Sequence, residues 1–445
     1  MSTIDNEIKE IYRNVTVFGQ GFVGLPLSLS FAFRGCNVYG VDVIEGLVKA
    51  TNEGITHHTE CFEGKTIQQI LREQLDNGHY RATTDTKEAL KNCNNIIVTV
   101  GIPIRNGKHD ISDLVECCTG IAKNLKKGDL VVIRSTVIPG STEELLLPIL
   151  EKESGMKAGV DFYLAYSSER IAEGKAFDEF AYMPTIVAGI NEESAKRAKE
   201  LLSVVCKADV MIASQIKVVE TSKVIENVQR DVNIAMAQEF ARFSEKLGID
   251  INEVVAVANT HKRVNLLTPG PGVGGYCIPN AYYYLKPKAD EMGVGLDILK
   301  LSREKNEALP EVMVGMLEDG LKEAGKSLEG ANIGILGIAM KDYSNDDRIS
   351  PPIEIIKLLR NRGAHVSACD PTVPTEYDFK VDSIEDALKG MDGVVVLAKQ
   401  KEFDEIGIDY LKKVLNKGTV IFDTRNLFAS IKDELLKEGM YFKAI

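Results

Sequence analysis

The chain has 445 residues, of which 44% are hydrophobic and 27% are charged, and its formal net charge is −12. This composition is typical of a folded protein with two to four domains, at about 100–200 residues per domain. The acidic balance disfavours nucleic acid and anionic membranes as partners, although a local cluster of cations can still bind a small anion.

Eight cysteines are spread along the chain without a CxxC pair or a Cys/His cluster at zinc spacing. This pattern disfavours both a structural metal and a disulfide framework. No apolar run has the length of a membrane span, and the segment MSTIDNEIKEIYRN lacks the apolar core of a signal peptide. We therefore expect a cytoplasmic protein with no membrane partner and no bound metal.

The first predicted elements are a strand at Val15–Phe18, a glycine turn, a helix and a second strand that ends at Asp42. Gly19, Gly21 and Gly24 form G-x-G-x-x-G, in which the glycines allow a tight turn, close approach of a pyrophosphate and helix–strand packing. An acid after the second strand binds ribose hydroxyls and repels a 2′-phosphate, so NAD is favoured over NADP. The predicted cofactor contacts in this turn also include Phe22 and Val23. The alternative is a glycine-rich turn without a ligand.

Further short apolar runs predict strands within 95–100, 130–136, 161–169 and 185–189, with helical segments between them. This alternation predicts a parallel, doubly wound sheet that binds ligands at the carboxyl ends of its strands. Thr136, Ser167 and Glu169 fall at such ends.

From about 215 to 247 the apolar residues have helical spacing without Gly or Pro, which predicts one long helix. More helices are expected up to about residue 325, and the long helix is a candidate dimer interface. A strand and glycine turn return at 331–340, and RNRGAHVSACDP (360–371) resembles FRGCNVYGVDV (33–43). The predicted fold is therefore α/β, with two Rossmann-like doubly wound domains (1–212 and 326–445) joined by a central long-helix domain (213–325).

The second glycine turn is degraded, since only Gly334 and Gly337 remain and Ala339 and Met340 follow. A mononucleotide or nucleotide-sugar is a better candidate there than a second dinucleotide. The alternative is a structural repeat with no ligand.

The segment PGPGVGGYCIPN (269–280) places one thiol, Cys277, beside four glycines and three prolines. The glycines allow sharp turns and the close approach of a ligand, which a cysteine that only fills space does not need. We interpret Cys277 as a nucleophile. Together with NAD, a nucleophilic thiol indicates oxidation of an aldehyde to an acid through a thioester. Lys223 and Asn227, four residues apart on the long helix, share one face and can stabilise an oxyanion.

These segments together resemble the UDP-glucose/GDP-mannose dehydrogenase family of nucleotide-sugar 6-dehydrogenases over nearly the whole chain. The matching pieces include VFGQGFVGLPLS, IRSTVIPGST, SSERIAEGKAF, ETSKVIENVQRDVNIA, HKRVNLLTPGPGVGGYCIP, LGIAMKDYSNDDRISPP and IFDTRN. The most similar branch acts on N-acetylhexosamines. The resemblance implies a cytoplasmic homodimer that oxidises the C6 alcohol of a UDP-sugar twice with NAD, and UDP-N-acetylmannosamine is the first candidate substrate. The uronic acid produced would serve polysaccharide biosynthesis.

The resemblance also implies roles for individual residues. Cys277 would form the thioester, Lys223 and Asn227 would stabilise the reacting oxygen, and Glu169 and Thr136 would activate a water, with Glu169 as general base. The implied cofactor contacts are Ser135, Thr136, Glu173 and Arg348. The implied substrate contacts are Glu169, Arg170, Ile171, Lys223, Asn227, Arg263, Gly274, Lys341 and Arg425, with Arg263 supplied by the same chain or by a second subunit.

One position departs from the family pattern, because Ala281 stands four residues after Cys277 where the family usually has an aspartate. The proton transfers of the second half-reaction therefore depend on Glu169 or another acid, or the reaction stops early. The substrate also stays open among UDP-N-acetylmannosamine, UDP-N-acetylglucosamine, UDP-N-acetylgalactosamine and UDP-glucose. Two other functions are considered: a two-electron dehydrogenase of the 6-phosphogluconate or hydroxyacyl type, which has no use for Cys277, and an inactive nucleotide-sugar binder.

Overall fold

The computed structural model describes residues 8–58, 60–105, 108–171 and 174–445. The chain forms two compact units, which divide within the long helix. Unit 1 contains the described residues up to Ile225 together with Tyr283–Gly293, and unit 2 contains Glu226–Tyr282 and Val294–Ile445. The division into three domains at 212/213 and 325/326 stays a prediction.

Unit 1 is built around one large sheet. Its elements in chain order are β1 (Asn14–Phe18), α1 (Gly24–Phe33), β2 (Asn37–Val41), α2 (Glu45–Asn52), β3 (Cys61–Phe62), β4 (Lys65–Thr66), α3 (Ile67–Asp76), β5 (Tyr80–Thr83), α4 (Thr86–Leu90), β6 (Asn95–Val98), β7 (Ile104–Arg105), β8 (Lys108–His109), α5 (Ser112–Ala122), β9 (Leu130–Ile133), α6 (Leu147–Ser154), β10 (Tyr163–Ser167), α7 (Ala176–Tyr182), β11 (Thr185–Gly189), α8 (Glu192–Leu202) and β12 (Val210–Ile212). The strand order is β12-β11-β10-β9-β6-β1-β2-β5. The chain leaves β1 toward β2 and returns to β6 on the other side of β1. A crevice for a ligand is therefore expected beside the β1 turn.

One strand pair differs from the parallel sheet expected from the sequence, because β10 and β11 are antiparallel. In its described residues, the link between them contains one short helix, α7, which packs against α1. A parallel neighbour requires a crossover that carries the chain back to the opposite edge of the sheet. This link instead brings the chain back at the edge where β10 ends.

The long helix and the second sheet follow. The elements are α9 (Ile216–Leu247), α10 (Ile251–Ala258), α11 (Cys277–Met292), α12 (Asp297–Glu307), α13 (Leu309–Glu323), β13 (Asn332–Leu336), α14 (Pro351–Asn361), β14 (His365–Cys369), α15 (Ile384–Leu388), β15 (Gly393–Val396), α16 (Ile408–Val414), β16 (Val420–Asp423), α17 (Lys432–Lys437) and β17 (Tyr441–Ala444). The sheet of unit 2 is parallel throughout, in the order β14-β13-β15-β16-β17. The two Rossmann-like sheets and the long helix between them in sequence are confirmed.

The long helix is fixed within unit 2 by a buried polar network. Arg303 Nη1 and Asn306 Nδ2 on α12 donate to Asp231 Oδ1 on α9, at 2.9 and 2.7 Å. All three side chains are at most 3% exposed. Because removing one member would leave an unpaired buried group, this network fixes the register of α12 on α9.

Candidate active site

The glycine turn of unit 1 has the geometry of a dinucleotide site. Gly19 has φ +85° and donates its N–H to the carbonyl of Val41, at 2.8 Å. A Cβ on Gly24 would clash with the Gly19 carbonyl, so α1 can begin against the turn only with glycine there. A Cβ on Gly21 would meet nothing within 4 Å, and Gly21 is exposed. The turn is therefore open at the residue that a pyrophosphate would approach.

The acid of this turn lies where a ribose can reach it. Asp42 follows β2, is partly exposed, and accepts from the N–H groups of Gln20 (2.8 Å) and Ile44 (3.0 Å). Val43 and Ile44 are 91% and 60% exposed and form an apolar surface beside it. This apolar pair was not predicted as part of the site, although two apolar residues directly after a strand-end acid were the available signal. The carboxylate, the apolar surface and the open turn fit the adenosine diphosphate half of NAD.

A histidine pair lies against the same turn. The ring of Phe22 contacts His57 and His58 edge-on, with centroids 4.8 and 5.7 Å apart, and the two imidazoles stack at 4.3 Å. Burial of the ring, and to a smaller extent the neighbouring His57, lowers the pKa of His58 to about 3. Val23 is the residue before α1, and no side chain caps the N–H groups at the start of that helix.

The equivalent turn in unit 2 is closed by the protein itself. Asp370 follows β14 as Asp42 follows β2, but it is 2% exposed. Its Oδ2 accepts from the N–H groups of Ile338 (2.9 Å) and Ala339 (3.1 Å), and its Oδ1 accepts from Thr372 N and Oγ1. Gln400 Nε2 donates to both oxygens. The protein's own donors therefore occupy this carboxylate, which is not available to a ribose.

The carboxyl ends of β9 and β10 bring together several predicted residues of unit 1. Glu169 is 8% exposed, and its Oε1 accepts from the N–H groups of Arg170 (2.6 Å) and Ile171 (2.8 Å). Its Oε2 accepts from Arg134 Nε at 2.7 Å. Ser135 is buried and Thr136 is partly exposed at the same edge. Glu173 lies outside the described residues.

Arg134 lies in the segment IRSTVIPGST, but no catalytic or binding role was predicted for it. The available signal was a charged residue directly after the buried strand Leu130–Ile133, since an arginine there must find a partner inside the protein.

Lys223 and Asn227 lie one helical turn apart on α9, as predicted, and are 8% and 7% exposed. A solvated helix lysine would be far more exposed, so the simplest alternative for Lys223 does not hold.

Another segment of unit 2 packs closely against the glycine loop (269–276) that precedes Cys277. A Cβ on Gly274 would lie 2.8 Å from Met340 Cβ and 2.7 Å from Pro351 Cδ, and one on Gly272 would lie 2.6 Å from Pro351 Cβ. One on Gly275 would lie 2.5 Å from Met340 Sδ. The glycines therefore let the chain's own 340–351 segment approach, whereas the sequence suggested a ligand.

Two amides on α9 hold the start of the same loop. Asn233 donates from Nδ2 to the carbonyl of Asn265 (2.6 Å) and accepts from Leu267 N (3.1 Å). Gln238 Nε2 donates to the carbonyl of Gly270 at 2.6 Å. The loop ends at Cys277, which is exposed and is the first residue of α11.

The predicted cations of unit 2 differ in their surroundings. Arg425 pairs with Asp342 through Nε (2.9 Å) and Nη2 (2.6 Å), while its Nη1 donates to the carbonyl of Pro269 at 3.4 Å. Arg348 pairs with Asp346 through Nε and Nη2, at 2.9 and 2.7 Å. The exposed cations of the set are Lys341 and Arg263.

A cavity of about 630 Å³ lies in unit 2 beside the Arg425–Asp342 pair. Its lining includes Thr268, Pro269, Lys399 and Asn426 as well as that pair. Its volume is within the range of small-molecule sites.

The predicted residues are divided between the two units. Unit 1 carries the glycine turn, Glu169 and Lys223, and unit 2 carries Asn227, Cys277, Gly274 and the four cations.

Within 8–58, 60–105, 108–171 and 174–445, no cluster of three His, Cys, Asp or Glu side chains is placed to hold a metal ion. Over the same ranges, no helix combines the length and apolar character needed to cross a membrane.

Three family models match consecutive parts of the chain. They are the UDP-glucose/GDP-mannose dehydrogenase NAD binding domain (13–205), central domain (217–308) and UDP binding domain (334–430). UDP-N-acetyl-D-mannosamine dehydrogenase of Pyrococcus horikoshii is 34% identical over 93% of this chain and 95% of its own length. UDP-N-acetyl-D-glucosamine 6-dehydrogenase of Pseudomonas aeruginosa is 32% identical over 95% and 98%.

The solved structure of the UDP-N-acetylmannosamine dehydrogenase from Pyrococcus horikoshii is similar to this fold. It has a TM-score of 0.88 and 33% identity, and the match covers 97% of this chain and 99% of that one. The chain belongs to the UDP-glucose/GDP-mannose dehydrogenase family and is an NAD-dependent nucleotide-sugar dehydrogenase.

Proposed function

We propose that the protein oxidises the C6 alcohol of a UDP-N-acetylhexosamine to the uronate in two steps, with UDP-N-acetylmannosamine as the preferred substrate. The observation that carries the proposal is Cys277, an exposed thiol at the first residue of α11 and the end of a tightly held loop. The start of a helix carries partial positive charge, which suits a group that works as an anion.

The reaction balances as two hydride transfers and one hydrolysis, with one proton released in each of the three steps. The residues of the Gly19 turn would hold NAD, which would supply the hydride acceptor for each oxidation of C6. The C6 alcohol first becomes an aldehyde, and Cys277 then adds to it to form a hemithioacetal. Loss of the second hydride gives a thioester. Lys223 and Asn227 stabilise the negative oxygen in these steps, and Glu169 with Thr136 activates the water that releases the acid.

The UDP moiety is assigned to the cavity of unit 2. Support comes from its volume and from Arg425, whose planar guanidinium suits nucleotide oxygens. The protein itself closes the turn at Asp370, which corresponds in unit 2 to the NAD-binding turn of unit 1. The cavity beside Arg425 is therefore the better candidate for the nucleotide. Lys341 would contact the same substrate, and Arg348 the phosphates of NAD. An acidic protein can thus bind a diphosphate through a few placed cations.

Substrate choice and Ala281 are tested together. Purified protein is mixed with excess NAD and a limiting, known amount of UDP-N-acetylmannosamine, and NADH is counted per sugar. Parallel reactions use UDP-N-acetylglucosamine, UDP-N-acetylgalactosamine and UDP-glucose. Two NADH with UDP-N-acetylmannosamine would support the full oxidation without an aspartate at 281. One NADH would mean a halt at the aldehyde, and no NADH with any of the four would overturn the proposal.

We further propose that the protein is a cytoplasmic homodimer. The two subunits would contact each other through the long helix α9. Met236, Phe240, Phe243 and Leu247 follow one stripe of α9 and are 41–65% exposed. Contiguous exposed apolar side chains of this kind are typical of interfaces. Phe243→Glu is expected to shift the mass in solution from dimer to monomer, as measured by light scattering, whereas exposed Arg230→Glu is not. A monomeric wild type would contradict the dimer.

A further inference from the structure

We propose that Arg134 is a positioning residue that fixes Glu169 for hydrolysis of the Cys277 thioester; this rests on the function proposed above. Arg134 follows β9 and Glu169 lies two residues after β10, and these strands are parallel neighbours. Their side chains therefore emerge at the same edge of the sheet, and Arg134 Nε meets Glu169 Oε2 at 2.7 Å. The side chains are 4% and 11% exposed, so this ion pair is largely removed from water.

The guanidinium has its own supports. Arg134 Nη1 donates to Ser167 Oγ at 3.2 Å, and its central carbon lies 5.4 Å from the ring centre of Phe180. An arginine that only neutralised charge would need none of these contacts. They fix the plane of the guanidinium, and with it the direction from which Glu169 is held.

The contacts of Glu169 then decide which oxygen can act. A carboxylate oxygen has two lone pairs, and Oε1 already accepts two backbone N–H groups. Oε2 accepts one N–H, from Arg134, and keeps one lone pair in a defined direction. Oε2 is therefore the atom that accepts the proton of the attacking water. The water oxygen bonds to the thioester carbon, the carbon–sulfur bond breaks, and the thiolate of Cys277 leaves with the electron pair.

The test compares Arg134→Met, Arg134→Lys and Ser167→Ala with the wild type in single turnovers with NAD and UDP-N-acetylmannosamine. Acid-quenched samples are measured for NADH and, by intact mass, for the acyl group on Cys277. We expect Arg134→Met to form both NADH but to release the acid at least 100-fold more slowly, with accumulation of the acyl-enzyme. Arg134→Lys should recover part of this rate, because an ammonium can reach Oε2 without fixing its direction.

A general loss of structure would give a different result. It would slow both NADH steps and lower the melting temperature, without trapping acyl-enzyme. If Arg134→Met does not fold, Ser167→Ala carries the test, because it keeps the ion pair and removes one support; we expect a several-fold slower release. Release at the wild-type rate in the folded variants would overturn the role of Arg134. If Glu169→Gln, in which hydrolysis should be blocked, never forms an adduct on Cys277, the proposed function itself is overturned.

Discussion

Arg425 donates from Nε and Nη2 to the two carboxylate oxygens of Asp342, at 2.9 and 2.6 Å, so one carboxylate holds the guanidinium at two points in the cavity wall. Its third nitrogen, Nη1, donates to the carbonyl of Pro269 in the loop that leads to Cys277. One side chain thus links the cavity assigned to UDP with the loop that carries the thiol, entirely within unit 2.

Arg425→Lys is expected to raise the dissociation constant for UDP about tenfold, which corresponds to about 1.4 kcal/mol. Lysine keeps the charge but cannot bridge both oxygens of Asp342 and also reach Pro269. Isothermal titration with UDP measures the change. The control is Arg360→Lys, because Arg360 also forms a two-bond pair with a carboxylate, here through Nη1 and Nη2 to Asp378, and lies outside the cavity. Equal affinities in the two variants would contradict the assignment of UDP to this cavity.

Cys277→Ser is expected to abolish acid formation, since a serine at this position cannot form the thioester. Acid is measured by chromatography of the sugar nucleotide, and the loss should exceed about 1,000-fold. Cys61→Ser is the control, because Cys61 is the other exposed free cysteine of the described chain. Acid production at the wild-type rate in Cys277→Ser would end the thioester mechanism.

Asp42→Ala is expected to weaken NAD binding by about 10- to 100-fold, since removal of a charged hydrogen-bond acceptor costs about 1.5–3 kcal/mol. It should weaken NADP binding less, because the repulsion between the carboxylate and the 2′-phosphate is lost. Titration with both reduced cofactors, followed by fluorescence, measures this.

Asp370→Asn serves as the control for Asp42, because Asp370 has the same place in the second sheet. It should lower the urea midpoint, since buried N–H donors lose their acceptor, while NAD affinity in the folded protein stays unchanged. An unchanged cofactor preference in Asp42→Ala would show that the ribose binds elsewhere.

Ala281→Asp is expected to lower stability without lowering turnover. Ala281 is 2% exposed in α11, so an added carboxylate is buried, which costs more than the about 1–3 kcal/mol of a neutral polar group. Urea unfolding and NADH production are measured beside Ala281→Ser, which adds a smaller polar group. If the absent acid limits hydrolysis, turnover rises. A large loss of turnover in a folded Ala281→Asp would mean that the loop requires alanine.

His58 is expected to make stability fall on acidification. Its pKa in the folded protein, about 3, lies below its usual 6.5, mainly because the ring is buried. Between these values the unfolded chain binds a proton that the folded chain does not. Stability is therefore lost as the pH falls from 6.5 toward 3, by up to about 1.4 kcal/mol per pH unit.

Unfolding of His58→Gln at pH 7, 6 and 5 should show a shallower decline than that of the wild type. His365→Gln, at an exposed histidine, should keep the wild-type decline. Equal slopes in His58→Gln and the wild type would show that the ring is accessible to protons in the folded state.

Much of the fold followed from local patterns. Apolar runs such as Asn95–Val98 and Leu130–Ile133 gave strands, and the uninterrupted helical spacing of Ile216–Leu247 gave the long helix. The direction of β11 could not be predicted, because it depends on where α7 packs and not on the residues of the strand itself. In a single strand, the parallel and antiparallel alternatives place the same side chains on the same faces.

The candidate site was predictable in its residue types and less so in their contacts. The motifs identified Glu169 and Arg425, but the partners Arg134 and Asp342 come from distant segments, and only the folded chain brings them together. The glycines of the Cys277 loop were interpreted as sites where a ligand approaches the backbone, whereas another segment of the chain packs against them. What approaches them, Met340 and Pro351, depends on tertiary packing and has no signal within the loop.

The absence of spare volume between the glycine loop and the 340–351 segment restricts how both can change in evolution. A side chain at Gly274 would meet the side chains of Met340 and Pro351 and, at 2.9 Å, the carbonyl oxygen of Ile349, so the backbone of the 340–351 segment would have to move as well. Family members should therefore vary at these positions in pairs, and a loop grafted from one member into another should misplace Cys277 unless the partner segment is grafted with it.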